Sequence, residues 1–164
     1  MMKPFCLFTL LLANISMYAM DNVRIVPFEY EKHMSAISSL NLFQPLISMD
    51  GSIQDPAQEI KVLVKPYPAT RSKRPDTVLG ALAHQTVDYP IETFTRIKAL
   101  EIVSRYQGKG YGRLLMQHIE KPRSPNKKHC ILLLPITKAR PFYKKLGYVN
   151  YKNMSFYLHK ELNP

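Results

Sequence analysis

The stretch Leu100-Glu101-Ile102-Val103-Ser104-Arg105-Tyr106-Gln107-Gly108-Lys109-Gly110-Tyr111-Gly112-Arg113-Leu114-Leu115 constrains this chain more than any other. Three of the six glycines fall within five residues, between an apolar β-type run and a segment with helical spacing. Where a strand passes through glycines into a helix, the first helical N–H groups have no internal partner and sit at the positive end of the helix dipole. Glycines leave the approach to those amides open to an anion. Arg105, Lys109 and Arg113 add full positive charges beside them. The segment predicts a phosphate or pyrophosphate site. The other reading of the same residues is a glycine-rich turn kept for tight strand–helix packing.

Two common phosphate-binding patterns do not fit. A Walker loop closes on Gly-Lys-Ser/Thr, whereas Gly108-Lys109 is followed by Gly110. The dinucleotide fingerprint G-x-G-x-x-G/A fails at its third position, because the relevant residue is Arg113. The spacing present is Q/R-x-x-G-x-G/A, read as Gln107, Gly110 and Gly112, and it resembles the acetyl-CoA pyrophosphate loop of GNAT-type N-acetyltransferases. Further on, Ala139-Arg140-Pro141-Phe142-Tyr143-Lys144-Lys145-Leu146-Gly147-Tyr148 resembles that family's A-x-x-F-Y-x-x-x-G-F/Y signature, after an intervening apolar strand. The close resemblance covers about residues 97–149, and a looser one extends from Val23 to the C-terminus. Two departures stand out: Ile136 occupies a position where the family often carries Asn, and Pro141 falls inside a short helix, where only the first turn tolerates it.

The resemblance implies an acyl-CoA-dependent N-acetyltransferase that moves an acetyl group from acetyl-CoA to a primary amine by direct attack. The implied fold is a GNAT-like α/β domain with a mixed, mostly antiparallel central sheet, a splayed strand pair and flanking helices. By match, Ile102, Val103 and Ser104 offer backbone groups to the pantetheine arm and thioester. Gln107, Gly108, Lys109, Gly110, Tyr111, Gly112 and Arg113 form the phosphate loop. Tyr143 takes the position of the general acid for the departing thiolate, and an ordinary phenol pKa near ~10 keeps it protonated at neutral pH. Packing against the sheet is the alternative role for Tyr143. Glu101 and Glu92 are the carboxylates nearest in sequence, and Glu101 is the candidate base, with a water relay as the alternative. The five histidines lack ligand spacing, so no metal is expected.

Read without the resemblance, the chain gives the same class of fold. Residues 23–26 form a β-branched run, and Met34, Ile37 and Leu40 recur at helical spacing across 30–42. A loop is expected at 43–58 and an exposed, proline-rich turn at 66–75. Strands are expected at 60–65, 77–87, 97–103, 130–134 and 148–158. Leu114, Leu115, His118 and Ile119 mark a helix, 121–129 a basic loop, and 139–146 a short helix ending at Gly147. Alternating strands and helices of this kind build an α/β domain, assigned to residues 20–164. Residues 1–19 carry Lys3 and then an apolar run over 5–15, the layout of a signal peptide too short to span a membrane, with an apolar N-terminal strand or core segment of the domain as the other reading. Its cleavage would export the chain to a periplasm or beyond the cell; otherwise the chain is cytoplasmic. Cys6 and Cys130 allow no disulfide framework.

A formal charge of +11 favours anionic partners. A non-catalytic GNAT-like module binding anions or nucleic acid is therefore the competing function. Nucleic acid is not the expected partner, because aromatic residues do not interleave with a basic stripe. The acceptor, whether small molecule, peptide or protein, is expected near residues 41–60, where Asp50, Asp55 and Glu59 suggest a cationic amine.

Overall fold

The computed structural model describes residues 22–37, 40–41, 43, 46, 55, 57–66, 76–121 and 126–163. The expected signal segment lies outside these residues, as do Asp50 and nearly all of the turn at 66–75. Seven strands form one sheet: β1 Arg24–Pro27, β2 Gln58–Lys65, β3 Thr77–Asp88, β4 Glu92–Ile102, β5 Lys128–Leu133, β6 Val149–Tyr151 and β7 Met154–Leu162. Their order is β1-β2-β3-β4-β5-β7-β6, with every neighbouring pair antiparallel except β4 and β5. Helices α1 Tyr30–Ile37, α2 Tyr111–Ile119 and α3 Arg140–Lys145 flank the sheet. This is the mixed, mostly antiparallel α/β architecture expected of the sequence.

Period-two alternation gives the sheet two apolar faces. One carries Leu79, Leu82, Ile97, Ile131, Leu133 and Leu158 against Leu115, Met116 and Ile119 of α2 and Tyr143 of α3. The other carries Ile60, Val62, Val64, Val78, Ala81 and Ala83 against Ile37 of α1 and the following Leu40 and Phe43. Each large aliphatic side chain removed from water here contributes roughly 1.5–3 kcal/mol. The buried stripe of α2 lies one position round from the expected one, since Met116 is buried while Leu114 and His118 are only half-buried. Both stripes satisfy a period of 3.6, and contact with the sheet selects between them. Helix α1 ends at Ile37, and Leu40 and Phe43 reach the core through successive turns, with Leu40 N–H donating to the Ile37 carbonyl at 2.8 Å. The stretch expected as one last strand is instead the β6–β7 hairpin, turning at Lys152, where φ is 46°.

Strand β4 begins at Glu92, five residues before the expected start, and its first half pairs with β5 from Glu92↔Lys128 to Ile97↔Leu133. There the parallel pairing stops, although β4 continues to Ile102 beside β3. A register shift coincides with that point: Ala83 pairs with Ala99 and His84 with Ile97, so Lys98 is an extra residue on β4. Such a bulge bends its strand and sharpens the local twist. It carries the end of β4 away from β5 and opens a slot between two strands that would otherwise stay paired.

Candidate active site

The loop expected to bind phosphate begins where β4 ends. Val103 N–H donates to the Leu79 carbonyl at 3.0 Å, and residues Ser104–Tyr106 form a single 3-10 turn. Gly108 and Gly110 have φ of 75° and 84°, a left-handed conformation that costs a side-chain-bearing residue about 1–2 kcal/mol. Gly110 caps α2, whose first internal bond runs from Leu114 N–H to the Gly110 carbonyl at 3.2 Å. The N–H groups of Tyr111, Gly112 and Arg113 therefore precede any intrahelical acceptor. Gly112 serves a different need: a Cβ there would stand 3.2 Å from the Phe142 ring. Its absence lets the start of α2 seat against α3. Around the loop, the Arg105 guanidinium lies 4.8 Å and the Lys109 ammonium 5.6 Å from the Tyr106 ring centroid.

Gln107 faces back toward the strand, its Nε2 donating to the Ile102 carbonyl at 3.0 Å. This bond ties the two ends of the turn together. It also accounts for Gln or Arg at this place in the pattern, since both carry N–H donors at the end of a long side chain.

Helix α3 holds Tyr143 by a well-defined stop. Gly147 N–H donates to the Lys144 carbonyl at 3.0 Å and Tyr148 N–H to the Tyr143 carbonyl at 3.1 Å. That is the Schellman arrangement, with Gly147 at φ 87° and the accompanying apolar contact supplied by the Tyr143 and Tyr148 rings, edge to face at 5.9 Å. Phe142 meets Tyr143 edge to face at 4.9 Å. Pro141 sits in the first turn, where its missing N–H is harmless. Tyr143 is 6% exposed, and burial pushes its phenol up to about 12. Tyr148 is also pushed well up, by burial first and then by the Glu120 carboxylate.

These parts enclose one cavity of about 720 Å³. Of the residues predicted to meet the cofactor, Ile102, Gln107, Gly108, Gly110, Tyr111, Gly112 and Arg113 line it, and Val103, Ser104 and Lys109 do not. Both predicted catalytic residues, Tyr143 and Glu101, line it too. They reach it from different sides of the sheet. Leu100 and Ile102 pack with the α2 cluster, while Glu101, between them and paired with Ala81, belongs to the α1 face. The cavity thus runs through the slot opened by the bulge. Glu92 lies at the far end of β4, roughly 30 Å away at the rise of an extended strand. Asn41, the first residue of the stretch expected on the acceptor side, also lines it, as do Ile136, at the place where the family often carries Asn, and Phe142 of the second signature. Leu100 and Tyr106 were not assigned from the sequence. Of the acidic residues expected at the acceptor side, Asp50 lies outside the described residues, the Asp55 carboxylate accepts the Ala57 N–H at 3.0 Å, and Glu59 pairs with Lys61 at 3.0 Å.

Residues 73–150 match the model of the acetyltransferase (GNAT) domain. Among solved structures, NAA60 of Arabidopsis thaliana in complex with a bisubstrate analogue is similar at a TM-score of 0.60 and 12% identity, covering 86% of this chain and 98% of its own. The AtaT toxin, in a tyrosine-to-phenylalanine form bound to acetyl-CoA and the C-terminus of the antitoxin AtaR, is similar at 0.59 and 16% identity, covering 86% and 94%. The KacTA–DNA complex contains a chain similar at 0.59 and 16% identity, covering 85% and 92%. Comparison with curated proteins gives no match. Residues 73–150 thus match a GNAT acetyltransferase domain, and the chain shares the fold of these structures over most of its length.

Proposed function

We propose that the chain transfers the acetyl group of acetyl-CoA to a primary amine by direct attack, with Tyr143 as the acid. One observation carries the reading: a single cavity joins the open N-terminus of α2, Tyr143 and the free end of β4. The loop amides and cations suit a pyrophosphate. The edge of β4 left by β5 suits an extended pantetheine arm, because beyond Ile97 no β5 partner pairs with that side of the strand. The acetyl-CoA bound by a structural relative and the family match agree with this substrate.

The neutral amine nitrogen forms a bond to the thioester carbonyl carbon, giving a tetrahedral oxyanion. As the carbonyl reforms, the carbon–sulfur bond breaks and sulfur leaves with the electron pair. Tyr143 gives its proton to that sulfur, and the proton released from the amine goes to water or to Glu101. Tyr143 is suited to the first task because burial keeps it protonated well above neutral pH. A phenol so weakly acidic yields its proton only to a poorly solvated thiolate, and the apolar wall of Phe142, Ile136 and Leu146 provides that setting.

Replacing Tyr143 by Phe should lower kcat by about 10²-fold or more, while calorimetry finds acetyl-CoA affinity little changed. Unaltered turnover would remove Tyr143 from the chemistry. Loss of acetyl-CoA binding in Gly110→Asp, with the intact protein binding saturably, would locate the donor site. Absence of binding in the intact protein would instead favour the anion-binding module that the net charge of +11 suggests.

A further inference from the structure

We infer that the acceptor is the terminal α-amine of an extended polypeptide whose apolar and acidic body lies along the uncovered face of β4, β5 and β7. The inference rests on the transfer reading above and names its acceptor. Among the described residues, the α1 cluster covers that face of the sheet only over β1 to β4. Beyond β4 no described element of that cluster packs on the same face, and the register identifies what it presents.

Leu132 lies on β5, and Leu134 and Ile136 follow it at two-residue spacing beyond the strand, Ile136 being extended at φ −62° and ψ 151°. Leu132 lines a groove of about 250 Å³ with Phe94, Arg96, Tyr151, Met154 and Tyr157. Leu134 is 58% exposed. Ile136 is 61% exposed and lines the main cavity. One apolar track therefore joins the groove to the cavity, on the face to which Glu101 belongs. Four residues at the rise of a strand put its two ends about 13 Å apart. Large aliphatic side chains exposed in a row mark a surface that binds something.

Three features define the occupant. Its length calls for an extended chain, with the amine in the cavity and an apolar side chain of the fourth or fifth residue in the groove. The exposed Arg96 lining the groove complements an acidic residue there, whereas Lys128 further along the face is offset by its register partner Glu92. The amine must also be neutral to attack. Near pH 7.4 an α-amine with its ordinary pKa of about 7.7–8.0 is roughly a quarter neutral, whereas a lysine near ~10.4 is about one part in a thousand neutral. With Glu101 the one carboxylate lining the cavity among the described residues, the α-amine needs far less help. The track leaves the cavity in one direction, which suits a chain end.

The test uses the full chain with acetyl-CoA and a library of lysine-free hexapeptides with free N-termini, read by mass spectrometry. The expected result is selection for a large apolar residue at the fourth or fifth position and an acidic neighbour. Tripeptides sharing the same first residues should fall about 10- to 100-fold in kcat/KM, the discrimination an apolar pocket provides. Met154 is 53% exposed, so Met154→Lys should leave folding intact; its loss on the hexapeptide should exceed its loss on the tripeptide about tenfold. Selection confined to the first two residues, equal losses on both peptides, or preference for N-blocked peptides bearing lysine would each overturn the inference while leaving acetyl transfer in place. Acetyl-CoA binding without transfer to any amine would overturn the transfer reading and this inference together.

Discussion

Gly80 and Gly108 separate two ways in which a missing side chain serves the site. Gly80 pairs with Ile102 across β3 and β4. A Cβ at Gly80 would stand 2.5 Å from Ile102 Cδ1, 2.6 Å from the Glu101 carbonyl oxygen and 3.1 Å from Ile102 Cα. The first clash is relieved by a rotamer change. The other two involve backbone, and contacts normally begin at 3.4 Å, so the end of β4 must yield by close to about 1 Å. Overpacking of this kind costs about 1–3 kcal/mol. Because Glu101 and Ile102 line the cavity, the same shift should reduce kcat by up to ~100-fold. Gly108 has nothing within 4 Å of its would-be Cβ, and only its φ of 75° resists substitution. Gly108→Ala should cost about 1 kcal/mol and weaken acetyl-CoA binding a few-fold, with kcat retained. Urea unfolding, calorimetric titration and turnover on the two variants separate the effects. A Gly80→Ala protein with the parent's midpoint and kcat would refute the claim that β4 is held in place by this contact.

The Gln107 bond to the Ile102 carbonyl predicts that Gln107→Arg keeps acetyl-CoA affinity within about threefold, whereas Gln107→Glu sets acceptor against acceptor and loses about tenfold. Equal affinities in a calorimetric comparison would dismiss that tie. At alkaline pH, Tyr143, raised from 10.0 to about 12, contributes stability that is complete below pH 10 and is lost as pH rises to 12, about 3 kcal/mol in all. Urea midpoints should fall above pH 10, with a shallower slope in Tyr143→Phe and a residual slope from Tyr148; a flat profile would contradict both burials. Deleting Lys98 should regularise β4 while leaving Ile97 and Ala99 on their present opposite faces, so stability should survive as the slot closes. Retained acetyl-CoA binding in that folded variant would show that the bulge does not make the slot.

What the sequence disclosed and what it withheld follow from the range of the interactions involved. Glycine spacing, the apolar run before it and the helix stop at Gly147 are local, and each appears where chain chemistry alone required it. Pro141 was likewise readable, because proline has one comfortable place in a short helix. Gly80 gave no local signal: its need for a bare backbone comes from Ile102, across the sheet. Tyr106 enters the cavity through tertiary placement, and no spacing announces it.

Glu101 lies between these cases. Uninterrupted alternation from Ile97 would put Ala99 and Glu101 on the same face as Ile97, toward α2. The extra residue at Lys98 reverses the second half of the strand, so Leu100 and Ile102 face α2 and Glu101 turns to the other side. A trace of this is visible in the sequence, where the adjacent apolar residues Ala99 and Leu100 break a strict alternation. The break alone does not distinguish a bulge from a fully buried strand, and only pairing with β3 resolves it. One inserted residue therefore has two consequences that a site of this kind needs together. It parts β4 from β5, and it places the Glu101 carboxylate and the Tyr143 phenol on opposite sides of the opening, which under the proposed transfer lets donor and acceptor approach the same slot from different faces.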